Sequence, residues 1–370
     1  MSDTAKPISE KTSAATRPFR VLCIDGGGIR GLYSAMVLHT IARGFALKRG
    51  VKSLDVGKGF DLIAGTSTGG ILGCCLAAGL STRDTVNLYR EVGPKIFLNP
   101  MPDTKVFFVK WVVNNLKHAA NKSDQLREAL TKKLGDMTLE SLYEQRKIAL
   151  CIPCVNMATS KSWVYKTPHS PELVRDRKYK LVDVCLATSA APIYLPLVAV
   201  DDPDDPIHHL VFADGGLWAN NPTLISMIEA LGLARLNQPI QILSLSTCPP
   251  PQGNIISKQQ TNWGLFRWRA GTIALNASLE AQAWGYFYTA QKLAQHLSEL
   301  NRPCSLIRLP HSSAAQDQLK YLGLDRASKE ALQILSDLGK QDGDLENQSP
   351  QIRESLESIF NDMPVLEENY

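Results

Sequence analysis

The sequence predicts an α/β fold with a mainly parallel central sheet, helices on both faces and a helical C-terminal extension. Three observations carry that prediction. Short apolar runs rich in Val, Ile and Leu alternate with helix-forming segments as far as about residue 250. Those runs are apolar throughout, as strands buried on both faces are. After about Gly253 helical stretches dominate, with one further short strand, "CSLIRLP".

The elements follow in order. Residues 1–18 read as a flexible, Ser/Thr-rich arm without the apolar stretch of a signal peptide. "FRVLCID" is the first strand, and a helix runs from about Ile29 to Leu47. "FDLIAGT" is the second strand and leads into the apolar helix "GGILGCCLAAG". Ser81-Thr-Arg-Asp84 is a capping signature that opens a helix through about Arg90. Ser123–Gly135 is another helix, with Glu128 and Lys132 one turn apart and a glycine at its end. "KIALCIPCVNM" and "SWVYKTP" are strands, "LVDVCLATSAAP" is a helix stopped by Pro192, and "LVFADGG" is a strand. "NPTLISMIEALGLA" is a helix with Pro222 near its first turn, and "PIQILSLST" is a strand bounded by the loop "CPPPQGN". The expected organisation is one main unit over 19–250, a helical part over 251–340 packed on it, and an acidic terminal helix and tail over 341–370.

Composition narrows the function classes. The 370 residues carry a net charge of +4 with both signs interspersed, which argues against a surface for nucleic-acid polymers. No apolar run reaches the ~18 residues of a membrane-spanning helix. Cys23, Cys74, Cys75, Cys151, Cys185 and Cys248 lie in apolar runs and read as reduced, buried residues of a cytosolic protein. Cys151-Ile-Pro-Cys154 has the C-x-x-C spacing of a redox or metal site, but it sits in a strand that reads as buried, and no second pair follows.

The stretch "VLCIDGGGIRG" (Val21–Gly31) admits two readings. As Gly26-x-Gly28-x-x-Gly31 it is a dinucleotide fingerprint, which normally comes with an acidic residue about twenty positions later at the end of the second strand. Here that stretch is the basic and apolar "ALKRGVKSL", and the second strand ends in Gly65-Thr66-Ser67-Thr68-Gly69 instead. A G-x-S-x-G between an apolar strand and an apolar helix is the setting of a nucleophile elbow, with small residues allowing the tight turn. Acyl transfer by Ser67 would place negative charge on a substrate carbonyl oxygen, and that oxygen needs fixed N–H donors. Gly26, Gly27 and Gly28 can bring backbone close to it, and Arg30 can order the loop or meet an anionic headgroup.

A serine nucleophile needs a base within hydrogen-bond reach. His296 and His311 satisfy the chain order Ser…Asp…His, but both stand in ordinary polar contexts. Asp214, in "LVFADGGLWANNP", ends an apolar strand and precedes Gly215 and Gly216. It can accept the Ser67 proton directly, and it can equally be a turn aspartate.

The set Gly26-Gly-Gly-Ile-Arg-Gly31, Gly65-Thr-Ser-Thr-Gly69, Ser189-Ala-Ala-Pro192 and Asp214-Gly-Gly216 resembles the patatin-like phospholipase family, in the family's order and spacing, from roughly Phe19 to Leu245. The resemblance implies the family's three-layer fold. It implies a lipid acyl hydrolase of the phospholipase A type, cleaving ester bonds of membrane glycerophospholipids with a Ser67–Asp214 dyad. The implied oxyanion hole is the backbone of Gly26, Gly27 and Gly28. Support comes from Arg30, Gly65, Gly69, Gly215 and Gly216, and neither metal, cofactor nor histidine is needed. The chain is also similar to bacterial patatin-like effectors of cyclic-oligonucleotide anti-phage signalling. That similarity implies a cytoplasmic enzyme acting peripherally at the inner membrane, switched on by a cyclic di- or oligonucleotide, with self-association as one route to activation. Arg267, Trp268 and Arg269 are candidate nucleotide contacts, although no motif marks a site. Three alternatives stay open: a constitutive patatin-like lipase, a histidine-dependent esterase, and a nucleotide sensor with a vestigial serine site.

Two segments have the composition of a membrane-facing surface. "KVFFVKWVVNNLK" (Lys105–Lys117) places Val109, Val112, Val113 and Leu116 on one helical face, flanked by lysines. "NWGLFRWR" mixes aromatics and arginines in a similar way. Packing of either segment on its own domain is the competing reading.

Overall fold

The apolar runs form strands, and the strands form one sheet. A computed structural model describes residues 17–102, 104–248, 256–264, 266–309 and 314–367. The arm before residue 17, most of the "CPPPQGN" loop and His311 lie outside the described residues. The elements are β1 (Phe19–Ile24), α1 (Gly31–Lys48), β2 (Leu62–Gly65), α2 (Thr68–Ala77), α3 (Thr82–Ile96), α4 (Lys105–Asn114) and α5 (Asp124–Leu134). Next come α6 (Leu139–Arg146), β3 (Ala149–Asn156), β4 (Lys161–Lys166), α7 (Leu181–Thr188), β5 (Val198–Asp202), β6 (Asp205–Asp214) and α8 (Gly216–Ala219). The chain continues through α9 (Thr223–Leu233), β7 (Ile240–Leu245), α10 (Thr272–Glu299), β8 (Cys304–Leu309), α11 (Lys329–Gln348) and α12 (Pro350–Phe360).

The sheet order is β5-β6-β3-β2-β1-β7-β8, with β4 also on β3. Strands β3, β2, β1, β7 and β8 run parallel, and β4, β5 and β6 form an antiparallel wing. Because successive side chains on a strand point to opposite faces, each strand feeds two cores. Leu22 and Ile24 join a large cluster with residues of α1, α2, α7 and α11, while Val21 and Cys23 join a smaller one with Met227 of α9 and Ala290 of α10. This is the three-layer arrangement expected of a parallel sheet. The same pleat disposes of the C-x-x-C reading. Cys151 lies in the smaller core and Cys154 in the larger, on opposite faces of β3, so the two thiols do not face each other.

The pairing of β3 brings the two candidate chemical groups together. Cys151 pairs with both Ala64 of β2 and Lys166 of β4, so β2 and β4 lie on opposite edges of β3. Cys154 pairs with both Trp163 of β4 and Asp214 of β6. It follows that β2 and β6 share one edge of β3, end to end. β2 runs parallel to β3 and stops at Gly65; β6 runs the other way and stops at Asp214. Their C-terminal ends therefore meet.

Several elements differ from the sequence reading. Ser81 caps α3 as expected, accepting the Asp84 N–H at 3.0 Å, but the helix continues past Arg90 to Ile96 with Pro94 in its last turns. The periodic apolar positions Leu88, Val92 and Ile96 carry it onward. Helix α6 and strand β5 are additional. β5 alternates buried and exposed residues, the mark of an edge strand covered on one face.

An ion pair anchors the end of β1. Arg308 of β8 reaches Asp25 at 2.5 Å and Ser244 at 2.9 Å. Burial pushes the Asp25 carboxyl up and the Arg308 guanidinium offsets part of that, so the pair fixes position more than it adds stability. Arg308→Leu is expected to lower the unfolding free energy in urea by about 3–5 kcal/mol, because it leaves a buried carboxyl without its partner. Asp25→Asn combined with Arg308→Leu should recover most of the loss; an equal loss in the double variant would show that Arg308 acts through other contacts.

Candidate active site

Ser67 stands in the turn between β2 and α2 with φ 55° and ψ −125°, a conformation that is strained for a residue with a side chain. The turn is tight enough to require its glycines. A Cβ on Gly65 would lie 2.2 Å from the Gly69 carbonyl oxygen, and one on Gly69 would lie 2.3 Å from that of Ile24. This strained geometry lifts the Ser67 side chain off the backbone at the N-terminus of the buried helix α2, where the dipole favours negative charge. The Ser67 N–H donates to Thr188 Oγ1 at 3.0 Å, and that hydroxyl donates to the Pro153 carbonyl at 2.5 Å. Thr188 thus couples the serine turn to β3.

Ser67 Oγ donates to Asp214 Oδ2 at 2.6 Å. The other carboxylate oxygen accepts the Gly216 N–H at 2.7 Å. Both side chains are nearly inaccessible, with Ser67 7% and Asp214 6% exposed. Burial pushes the Asp214 carboxyl up to about 6, against the hydrogen bonds from Ser67 and Gly216 that favour its charged form. Gly215 lies against the Pro153 carbonyl, where a Cβ would come within 2.2 Å.

The glycine loop faces the same pair. Gly26, Gly27, Gly28, Arg30, Ser67 and Asp214 line one cavity of about 520 Å³. Gly26 donates its N–H to the Asn220 carbonyl at 2.9 Å, whereas among the described residues the N–H groups of Gly27 and Gly28 have no acceptor. Gly28 has φ 57° and lies against the Leu324 carbonyl, so a side chain there is excluded twice. Arg30 is buried, with Nε 3.4 Å from the Gly27 carbonyl and a terminal nitrogen 3.4 Å from Glu280 of α10. These contacts place Arg30 between the glycine loop and α10. The rest of the cavity wall is mostly apolar, formed by residues such as Ile71, Leu88, Val92 and Ile96 on one side and Leu275 and Leu279 on the other. A lipid acyl chain suits that lining.

The other candidates lie elsewhere. Among the described residues no histidine lines this cavity. His296 is exposed on α10 beside Glu299 at 3.2 Å. Arg267 sits over the Trp263 ring and Arg269 over the Phe108 ring, in a surface cluster next to α4. Within α4 the apolar residues split between two faces. Phe108 and Trp111 are buried with Met101 and Tyr194, while Val106, Phe107, Val109 and Val113 are exposed, as is Leu116 just beyond the helix. Sequence reasoning passed over Thr188 and Asn220, which hold the serine turn and the glycine loop. The only local signal was their place beside the Ser189–Pro192 block and after Asp214-Gly-Gly216.

The family model for patatin-like phospholipase matches residues 22–227. A cGAMP-activated phospholipase of Escherichia coli (strain TW11681) is 32% identical over 343 residues, covering 89% of this chain and 90% of its own. One of Vibrio cholerae serotype O1 is 33% identical over 331 residues, covering 87% and 89%. One of Pseudomonas aeruginosa is 31% identical over 325 residues, covering 87% and 86%. The chain belongs to the patatin-like phospholipase family and is a hydrolase of phospholipids.

Proposed function

We propose that this phospholipase is a serine acyl hydrolase of the phospholipase A type, with Ser67 as nucleophile and Asp214 as its base, turned on by a cyclic dinucleotide in bacterial anti-phage defence. The observation that carries the chemistry is the 2.6 Å hydrogen bond from Ser67 Oγ to a buried carboxylate, in a cavity that also holds two loop N–H groups without an acceptor among the described residues. Asp214 takes the Ser67 proton as Oγ attacks the ester carbonyl. The tetrahedral oxyanion is met by the N–H groups of Gly27 and Gly28. The protonated Asp214 then returns the proton to the leaving lysophospholipid alkoxide, leaving an acyl-serine. Water, deprotonated by the same carboxylate, releases the fatty acid. No histidine takes part, because a carboxyl raised to about 6 is itself a competent base near neutral pH.

The switch is supported by relatives named cGAMP-activated phospholipase that match this chain over most of both lengths. The enzyme works in the cytoplasm and meets the inner membrane peripherally. Helix α4 is the surface that meets it. Its exposed Val106, Phe107, Val109 and Val113 lie beside the exposed Lys110, and the exposed Leu116 and Lys117 follow just past its end, a combination that suits an anionic phospholipid surface. Its buried side packs on Tyr194 and Leu324, which also line the catalytic cavity, so a docked bilayer lies near the cavity mouth.

Free fatty acid released from bacterial phospholipid vesicles, with and without a panel of cyclic dinucleotides, tests the reading. Ser67→Ala is expected to abolish release, and Asp214→Asn to lower it by about 10²–10⁴-fold. Release that survives both substitutions would sink the dyad. The kcat/KM for the activated enzyme should fall tenfold per pH unit below about 6, since a protonated Asp214 is no base. A flat profile down to pH 5 would assign the base elsewhere. Phe107→Ser with Val113→Ser should cut vesicle hydrolysis and leave a soluble ester untouched. Phe108 and Trp111 are unsuited to that test, because they anchor α4 to the domain. Equal losses on both substrates would remove α4 from the membrane surface.

A further inference from the structure

A second cavity of about 910 Å³ lies among α1, α3, the loop after α2 and the C-terminal segment. Its lining is cationic. Arg43, Lys52, Arg83, Lys133 and His39 face it, against Asp84 and Glu367. Asp84 already accepts from Ser81 at 2.6 Å and lies 3.7 Å from Lys133, while Arg43 and Arg83 are exposed and have no ion pair among the described residues. The positive field is concentrated there. Burial pushes the His39 imidazole down, and Arg43, Arg83 and Arg90 push it further. Uncompensated guanidiniums grouped around a cavity of this size are a site for a multiply charged small anion, because a guanidinium grips a phosphate with two parallel hydrogen bonds.

The position of this cavity matters as much as its charge. Each helix around it has its other end at the catalytic cavity. Ser67 precedes α2, and Ala78 and Gly79 follow it in the second cavity, one ten-residue helix or about 15 Å away. Helix α1 begins at the glycine loop and carries His39 and Arg43. Helix α3 contributes Thr82, Arg83 and Asp84 to the second cavity and Leu88, Val92 and Ile96 to the apolar wall of the first. A ligand that draws these helix ends together therefore bears on the nucleophile, the loop donors and the acyl wall at once.

We infer that this second cavity is the binding site of the activating cyclic dinucleotide, with Arg43 and Arg83 engaging its two phosphodiesters. The inference rests on the nucleotide-controlled reading above and adds the place where that control enters. A cyclic dinucleotide carries two permanent negative charges and is of drug-like size, within the 300–1,000 Å³ range typical of small-molecule cavities. Differential affinity for two arrangements of α1, α2 and α3 is all that activation requires.

The test uses the full chain. Binding of 3′,3′-cGAMP is measured by calorimetry, and nucleotide-dependent vesicle hydrolysis is followed alongside. The proteins are the wild type, Arg43→Glu with Arg83→Glu, Arg83→Gln alone, and the control charge reversal Lys161→Glu at the exposed start of β4. Loss of two charge-assisted contacts should weaken binding by about 100-fold or more in the double variant and by about 10-fold in Arg83→Gln. Activation should be lost in parallel, with an unchanged thermal unfolding midpoint and an unaffected Lys161 variant. Glycerophosphoglycerol, a soluble lipid headgroup, is titrated beside the nucleotide; its binding in place of the nucleotide overturns the assignment. Wild-type binding retained in both arginine variants places the site elsewhere and leaves nucleotide control standing. A wild-type enzyme that neither binds nor responds to any cyclic dinucleotide removes the nucleotide-controlled reading and this site with it.

Discussion

The candidate chemistry depends on one edge of β3 accepting two partners in series. β2 occupies the first part of that edge and β6 the last part, in opposite directions. A strand that ends at Gly65 and another that ends at Asp214 are thereby brought end to end, and the serine turn bridges the gap. The Ala64 partner, Cys151, and the Asp214 partner, Cys154, are only three positions apart on β3. At a strand rise of about 3.3 Å per residue, the gap is about 10 Å, room for the turn and the serine hydroxyl. Thr188 ties the turn to the backbone of β3, so the Ser67–Asp214 distance is held by main-chain geometry rather than by side-chain packing alone.

Burial then sets the electrostatics. Asp214 has no cationic neighbour among the causes of its shift; it has burial, one hydroxyl and one backbone N–H. The rise from the ordinary 3.8 to about 6 corresponds to about 3 kcal/mol of disfavoured ionisation. The sign follows from proton binding. Between about pH 4 and pH 6 the folded chain binds more protons at this carboxyl than the unfolded chain, so stability falls as pH rises through that window. Above pH 6 the fold carries the whole cost of keeping this buried carboxylate charged. Asp25 is also raised by burial, but there Arg308 offsets part of it and the group serves position.

The glycine loop is assembled from distant parts of the chain. Asn220 engages Gly26, Thr247 donates to the Gly26 carbonyl, and Leu324 accepts from Ile29 and crowds Gly28. Leu324 also packs with the buried face of α4, so the loop, the cavity rim and the exposed apolar helix share one support. A disturbance of α4 or of the C-terminal segment thus has a short physical route to the groups that would hold an oxyanion.

Much of this was legible in the sequence, for definite reasons. Unbroken apolar runs announced a buried parallel sheet, since a strand covered on both faces cannot alternate. Glycines flanking Ser67 announced the elbow, because only a tight strand–helix turn needs them. The C-x-x-C pair also yielded to periodicity, since residues three apart on a strand point to opposite faces. The way Asp214 comes to meet Ser67 was not legible, because β6 is antiparallel to β3 and meets β2 head to head. Strand direction depends on pairing across 60 positions, from Cys154 to Asp214, and no local pattern encodes it. The split face of α4, the commitment of Gly26 to Asn220 and the grouping of Arg43 with Arg83 were equally out of reach. The sequence by itself determined the layers and the glycine-flanked serine turn between strand and helix, because those follow from side-chain size and short-range periodicity. Only the tertiary structure decided which groups meet, which N–H donors remain unengaged and where the positive charge gathers, because each is set by residues far apart in the chain.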